Sequence, residues 1–242
     1  MLNVSFYRFC PLKDLATLRP TVKERAAAAG LKGTVILSPE GINGFLAGVD
    51  GELRGFLDWL RETPSFQGLE AKESYSESQP FGKLLVKLKQ EIIPFGEGID
   101  PHRGTAPRLS ALELKRWLDE GRDVVLLDTR NDYEVADGTF RGAKTLGLNH
   151  FRDFPRAFGN ASRALRAEMA AKPVVMFCTG GIRCEKAAAY AQELGLPQVY
   201  QLDGGILKYF EEAGGAHYDG TCFVFDERRA VDALLAPALQ DR

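Results

Sequence analysis

Cysteine is scarce in this chain. It has four in 242 residues: Cys10, Cys178, Cys184 and Cys222. No two of them form a C-x-x-C pair, which argues against a structural zinc site. Free thiols at this density suit a reducing compartment rather than a disulfide scaffold. No apolar run approaches the length of a membrane-spanning helix, and the N terminus lacks a basic-then-apolar leader. The cytoplasm is therefore the expected location, with no membrane partner. An excess of one charge sign is also missing. The formal net charge is −2, so no global positive field attracts nucleic acid, although a local basic groove is compatible with that value. There is no flavin or dinucleotide fingerprint and no facial metal triad, so neither a resident cofactor nor a metal is expected. Long repeats and low-complexity segments are absent. The remainder is an ordinary globular composition, 45% apolar and 26% charged, in a length that fits one large domain or two ordinary ones.

The first part of the chain reads as α+β. Residues 2–9 alternate apolar and polar as a half-buried strand does, and 12–29 has helical periodicity ending at Gly30. A strand is expected over 34–37, then a Ser38-Pro39-Glu40-Gly41 turn and a returning strand over 42–47. A helix follows over 50–61, with strands over 72–78 and 84–89. Strand, helix, two strands, helix, strand is the ferredoxin-like order. A small ferredoxin-like (acylphosphatase-like) α+β domain is therefore expected over 1–92. Residues 93–108 hold Pro94, Gly96, Gly98, Pro101, Gly104 and Pro107, too many breakers for a helix or a central strand, and read as a linker.

Ser110, with Glu113 three residues on, has the form of a capping box opening a helix that stops at Gly121. Beyond it, short continuous apolar strands (124–127, 174–177, 198–202) alternate with helices (163–171, 185–194, 206–213). That pattern describes an α/β domain with a doubly wound parallel sheet. It is expected over 109–216, with 217–242 as a C-terminal tail.

The run Cys178-Thr179-Gly180-Gly181-Ile182-Arg183 sits between the strand at 174–177 and a helix-forming stretch. A loop there turns backbone N–H groups inward, and the next helix adds the positive end of its dipole. Cys178 should ionise more readily than a free thiol, and the thiolate is the reactive form. Arg183 closes the loop with a fixed cation. Cys178 and Arg183 are the candidate catalytic residues, and Thr179, Gly180, Gly181 and Ile182 the loop that cradles them. Cys184 either resolves an oxidised or persulfidated Cys178 by disulfide formation or packs at the helix start. Lys186 either adds positive charge near the thiolate or is solvated on the helix surface.

This loop resembles that of the rhodanese-like sulfurtransferases. Its C-x4-R length and the Phe177 that precedes it are similar to the sulfur-handling branch rather than to the related phosphatases. Phe177 through Ala187 resembles, more specifically, the signature of the bacterial tRNA uridine hydroxylases that carry a rhodanese domain. Gly33 through Gly44, with its Glu40-Gly41-Ile42-Asn43-Gly44 core, is similar to an early segment of the same family. The resemblance spans nearly the whole chain, through Thr221-Cys222-Phe223-Val224-Phe225-Asp226. Asp128 and Arg130 match the family's strand-end pair, with Glu134, Gly138 and the Arg141-Gly142-Ala143 turn following; as auxiliary site residues they orient loops. Leu202-Asp203-Gly204-Gly205-Ile206 matches a late Gly-Gly turn.

The resemblance implies oxygen-dependent conversion of the wobble uridine of tRNA, at position 34, to 5-hydroxyuridine. It further implies dioxygen as co-substrate, the anticodon region of tRNA as partner, and a donor of electrons or sulfur. Longer relatives carry a cysteine-rich extension beyond the point where this chain stops, and any function of that extension is not implied here. Two other functions fit the residues: a sulfurtransferase working through a Cys178 persulfide, and a non-enzymatic tRNA-binding or persulfide-carrier module. As a candidate RNA contact, Phe151-Arg152-Asp153-Phe154-Pro155-Arg156 either stacks bases or is a loop anchored by buried phenylalanines. Lys83, Lys87 and Lys89, at alternating strand positions, either share a face or are simply solvated.

Overall fold

The computed structural model describes residues 1–101 and 104–238. The expected linker and tail each include residues outside these limits. Two compact units are present, one made of Met1–Pro94 with Phe225–Arg229, the other of Phe95–Val224 with the chain from Ala230 on. Among the described residues no helix is long and apolar enough to cross a membrane.

The first unit runs β1 (Leu2–Phe9), α1 (Leu15–Ala28), β2 (Lys32–Ser38), β3 (Gly41–Gly48), α2 (Asp50–Glu62), β4 (Ala71–Tyr75) and β5 (Leu84–Leu88). The strands lie in the order β4-β1-β3-β2-β5. The first four give the ferredoxin-like arrangement, and β5 adds a fifth, parallel to β2. Two strands after α2 competed for one ferredoxin position, and the sheet uses both. Helix α1 begins later than its apolar periodicity suggests, because the Asp14 carboxylate accepts from the Thr17 N–H (3.1 Å) and sets the start. Leu2, Val4 and Phe6 of β1 alternate into a core shared with Val22 and Ala26 of α1 and Leu53, Phe56, Leu57 and Leu60 of α2.

The Glu40–Gly44 segment is structural in this unit. Glu40 Oε1 accepts from the Ile92 N–H (2.7 Å) and Asn43 Nδ2 donates to the Ile92 carbonyl (3.1 Å), so both side chains hold the chain as it leaves β5. A Cβ on Gly44 would lie 2.2 Å from the Phe6 ring; the glycine makes room for that aromatic.

The second unit contains β6 (Arg108–Leu109), α3 (Ala111–Asp119), β7 (Val125–Asp128), α4 (Asp132–Val135), β8 (Gly138–Phe140), α5 (Phe154–Gly159), α6 (Arg163–Ala171), β9 (Val174–Phe177), α7 (Ile182–Glu193), β10 (Val199–Leu202), α8 (Gly205–Ala213), β11 (Tyr218–Gly220), β12 (Cys222–Phe223) and β13 (Ala230–Val231). Its main sheet has the order β6-β10-β9-β7, and every pair in it is parallel. Val175 and Phe177 of β9 pack with residues of α3 and α8, including Trp117, Ile206 and Phe210. Val174 and Met176, also buried, take the opposite face, where α7 lies against β9 and α5 against α7.

Several details differ from the sequence reading. The capping box of α3 is half made: Ser110 Oγ accepts from the Glu113 N–H (3.2 Å), but the Glu113 carboxylate is taken by Arg116 and by Trp117 Nε1. Part of the expected linker is packed. Arg108 and Leu109 form the edge strand β6, and Phe95 is fully buried against Phe151, Phe154 and Tyr190 at ring centroid distances of 5.3, 5.9 and 5.6 Å. The segment expected as a tail is folded: β11 pairs with β8, β12 with β13, and Phe225–Arg229 belong to the first unit. The 151–156 segment is helical rather than a loop, one 3-10 turn over Phe151–Asp153 leading into α5, and its Phe151 and Phe154 are buried.

Candidate active site

The site grows from the carboxyl end of β9. The Thr129 N–H and Oγ1, just past β7, both donate to the Phe177 carbonyl (3.0 Å each), fixing the place where the chain leaves the sheet. The next two carbonyls turn toward the start of α8. Cys178 O accepts from the Ile206 N–H (2.9 Å) and Thr179 O from the Leu207 N–H (3.1 Å). Two of the N–H groups that a helix start leaves unpaired are thus used to hold the loop. This close approach requires a glycine. Gly205 has φ +67°, and a Cβ on it would lie 2.4 Å from Cys178 O and 2.7 Å from both Gly181 N and Thr179 O.

With its carbonyls held on one side, the loop presents N–H groups on the other. Gly181 adopts φ +95°, caps α7 and donates its N–H to Cys178 Sγ at 3.1 Å. Burial alone would raise the Cys178 pKa. The Cys184 thiol, the Arg183 charge and the backbone N–H groups of Arg183 and Gly181 outweigh it and bring the pKa down to about 6. Cys184 behaves in the opposite way: burial and its bond to Cys178 push its pKa well above the ordinary thiol value. The two shifts run in opposite directions, so Cys178 is the more acidic thiol of the pair; Thr129 Oγ1 lies 3.7 Å from the Cys184 sulfur. Cys222 is buried as well, and burial pushes its thiol up to about 12, the state of an inert structural cysteine.

Arg183 is 5% exposed, and its Nη1 and Nη2 donate to the two carboxylate oxygens of Glu134 at 2.8 and 2.9 Å. Its effect on the sulfur is carried by charge and by its backbone N–H. Glu134 is completely buried, and it also accepts from the Asn131 N–H (3.1 Å) and from Thr179 Oγ1 (3.5 Å). It joins α4 to both ends of the cysteine loop. The sequence marked Glu134 only by its spacing from Asp128; its position three residues after Asn131, at the start of a short helix, was the available signal.

Asp128 and Arg130 form a second buried pair (2.7 Å) with no exposed side-chain surface. Their remaining polar atoms go to neighbouring chain. Arg130 donates to the carbonyls of Gly138 (2.6 Å) and Glu134 (3.4 Å), and Asp128 accepts from Thr139 Oγ1 (2.8 Å). The pair braces the segment that carries Glu134. Lys186 is 1% exposed, so it is not solvated on the helix surface. Glu185 is buried rather than facing water, held by Arg108 Nη2 (2.7 Å) and Gln201 Nε2 (3.2 Å).

The sulfur is closed off: Cys178 is 1% exposed, and of the loop from Cys178 to Arg183 only Gly180 is partly open. Among the described residues no three or more His, Cys, Asp or Glu side chains gather as metal ligands.

A parallel α/β sheet carrying an activated cysteine in a C-x4-R loop, preceded in the chain by a ferredoxin-like sheet, defines a two-domain rhodanese-type protein. Residues 1–92 match the UPF0176 acylphosphatase like domain and residues 110–212 the Rhodanese-like domain. The tRNA uridine(34) hydroxylase of Cupriavidus necator is 54% identical over 98% of this chain and 85% of its own length. Those of Bordetella parapertussis and Variovorax paradoxus are each 53% identical, the first over 98% of both chains, the second over 100% of this chain and 91% of its own. The chain belongs to the tRNA uridine(34) hydroxylase family.

Proposed function

We propose that this protein hydroxylates uridine 34 of tRNA, the wobble nucleotide, to 5-hydroxyuridine in the cytoplasm, with dioxygen as co-substrate. Family membership supports the reaction, and one feature of the site carries the assignment of its centre: a Cys178 sulfur that accepts from the Gly181 N–H and is ionised near neutral pH. The reaction replaces the C5–H of uracil by C5–OH. One oxygen atom enters the base, and the other leaves as water after a donor supplies two electrons and two protons. Cys178 Sγ is the reacting atom. The loop amides and the Arg183 charge hold it as an anion, Cys184 supplies a proton donor to it, and Glu134 keeps Arg183 in place. Burial of the thiolate excludes bulk water, which strengthens each of these interactions.

The test is nucleoside mass spectrometry of tRNA from a strain lacking the gene. 5-Hydroxyuridine and its derivatives should disappear, return with the wild-type gene and stay absent with Cys178→Ser. An unchanged nucleoside profile in the deletion strain overturns the reading. A second reading, sulfur transfer through a Cys178 persulfide, is supported by the resemblance of the C-x4-R loop to that of rhodanese-like sulfurtransferases and by the Rhodanese-like match over residues 110–212. It predicts thiosulfate–cyanide turnover that is lost in Cys178→Ser.

A further inference from the structure

Tyr133 is anomalous in the second unit. It is 50% exposed, and it is the only aromatic among the strongly exposed large apolar residues described there; the others are Leu112, Leu194 and Leu234. Exposure usually accompanies mobility, yet this ring is held at both ends. Its hydroxyl accepts from Asn131 Nδ2 (3.1 Å), and its ring meets Phe223 edge-on at 5.3 Å and 78°. Asn131 is itself 7% exposed, and its Oδ1 is buried without a hydrogen-bond partner among the described residues. The chain thus spends a buried amide and a second ring on fixing a half-exposed aromatic ring. Its position is also particular. Tyr133 immediately precedes Glu134, whose carboxylate holds Arg183 and Thr179 of the cysteine loop.

An unpaired base in an RNA loop is recognised chiefly by stacking on such a ring. We infer that Tyr133 is the platform on which the target uracil stacks beside the cysteine loop. This rests on the proposed activity on uridine 34. A rigid ring saves the entropy of ordering a side chain on binding. Stacking also explains how a chain of net charge −2 selects a base where general electrostatic attraction is weak.

The experiment measures binding of a labelled RNA anticodon stem-loop to the full chain by fluorescence anisotropy, with uridine or an abasic site at position 34. Wild type should prefer the uridine stem-loop by about 5- to 150-fold, the worth of one base–aromatic stack. Tyr133→Ala should bring that ratio close to one, and Tyr133→Phe should keep it, since the ring is what matters. Thermal melts of the two variants control for folding. A Tyr133→Ala ratio equal to wild type overturns the inference, as does a wild-type ratio near one or no binding. Because the ratio is read without turnover, such a result is separate from failure of the hydroxylase reading, which the tRNA nucleoside profile decides.

Discussion

Replacing Glu134 by Gln tests whether the site is held together as described. The change removes one negative charge and turns one acceptor oxygen into a donor that faces an Arg183 N–H. Both partners are buried, with 0% side-chain exposure at Glu134 and 6% at Arg183, so water cannot compensate. Removing one partner of a buried pair leaves the other charge unpaired and costs about 3–5 kcal/mol. Against a typical domain stability of about 5–15 kcal/mol, that is a large share. With a urea m-value of about 1–3 kcal/mol/M, the unfolding midpoint should fall by roughly 1–5 M. Arg183→Met should cost a similar amount. The double variant Glu134→Gln, Arg183→Met should cost clearly less than the sum of the two, because it removes both charges. The same change has a second reading at the sulfur. With Glu134 neutral, the Arg183 charge acts on Cys178 without its counterion, so the thiol pKa should fall further. Urea unfolding and a pH titration of thiolate absorbance measure the two effects. A loss under about 1 kcal/mol, the range of solvent-exposed pairs, together with an unmoved thiol pKa, would refute the clamp.

Cys178 should titrate at about 6, so its alkylation rate should rise through that pH rather than near the ordinary thiol range. The sign also fixes a stability effect. A folded pKa below the unfolded one contributes stability that is complete above the unfolded value and is lost as pH falls through about 6. Cys184→Ala removes the S–H donor, so the alkylation midpoint of Cys178 should move upward; an unmoved midpoint would rule out that hydrogen bond. Gly205→Ala places a Cβ 2.4 Å from Cys178 O at φ +67°. It should cost about 1–3 kcal/mol in backbone strain alone and abolish turnover, and an active, equally stable variant would show that the helix does not seat the loop.

Local pattern made much of this protein legible. The continuous apolar strand at 174–177, the glycine-bearing loop and the following helix former place Cys178 at a sheet's carboxyl end without any structure, because strand period, glycine and helix propensity are properties of neighbours in the chain. Other parts were not legible. Lys186 allows a solvated reading because charged side chains on a helix are usually on the surface, but α7 is covered by elements distant in sequence; Arg108 and Gln201 reach its neighbour Glu185 from 77 and 16 residues away. Phe95 read as linker because its neighbours are prolines and glycines, and only the aromatic cluster of Phe151, Phe154 and Tyr190 shows that it is core.

The sequence by itself determined the two fold classes, the main strands and helices of each unit and the one sulfur set in a loop able to ionise it, since each depends on short-range periodicity and turn chemistry. Tertiary structure decided what surrounds that sulfur. The Glu134 carboxylate on Arg183, the Cys184 thiol beside Cys178, the seat of α8 on the loop carbonyls and the fixed Tyr133 ring are each set by packing between separate elements. No local pattern encodes such contacts, because the burial that gives them their strength exists only once the sheet and its helices have closed.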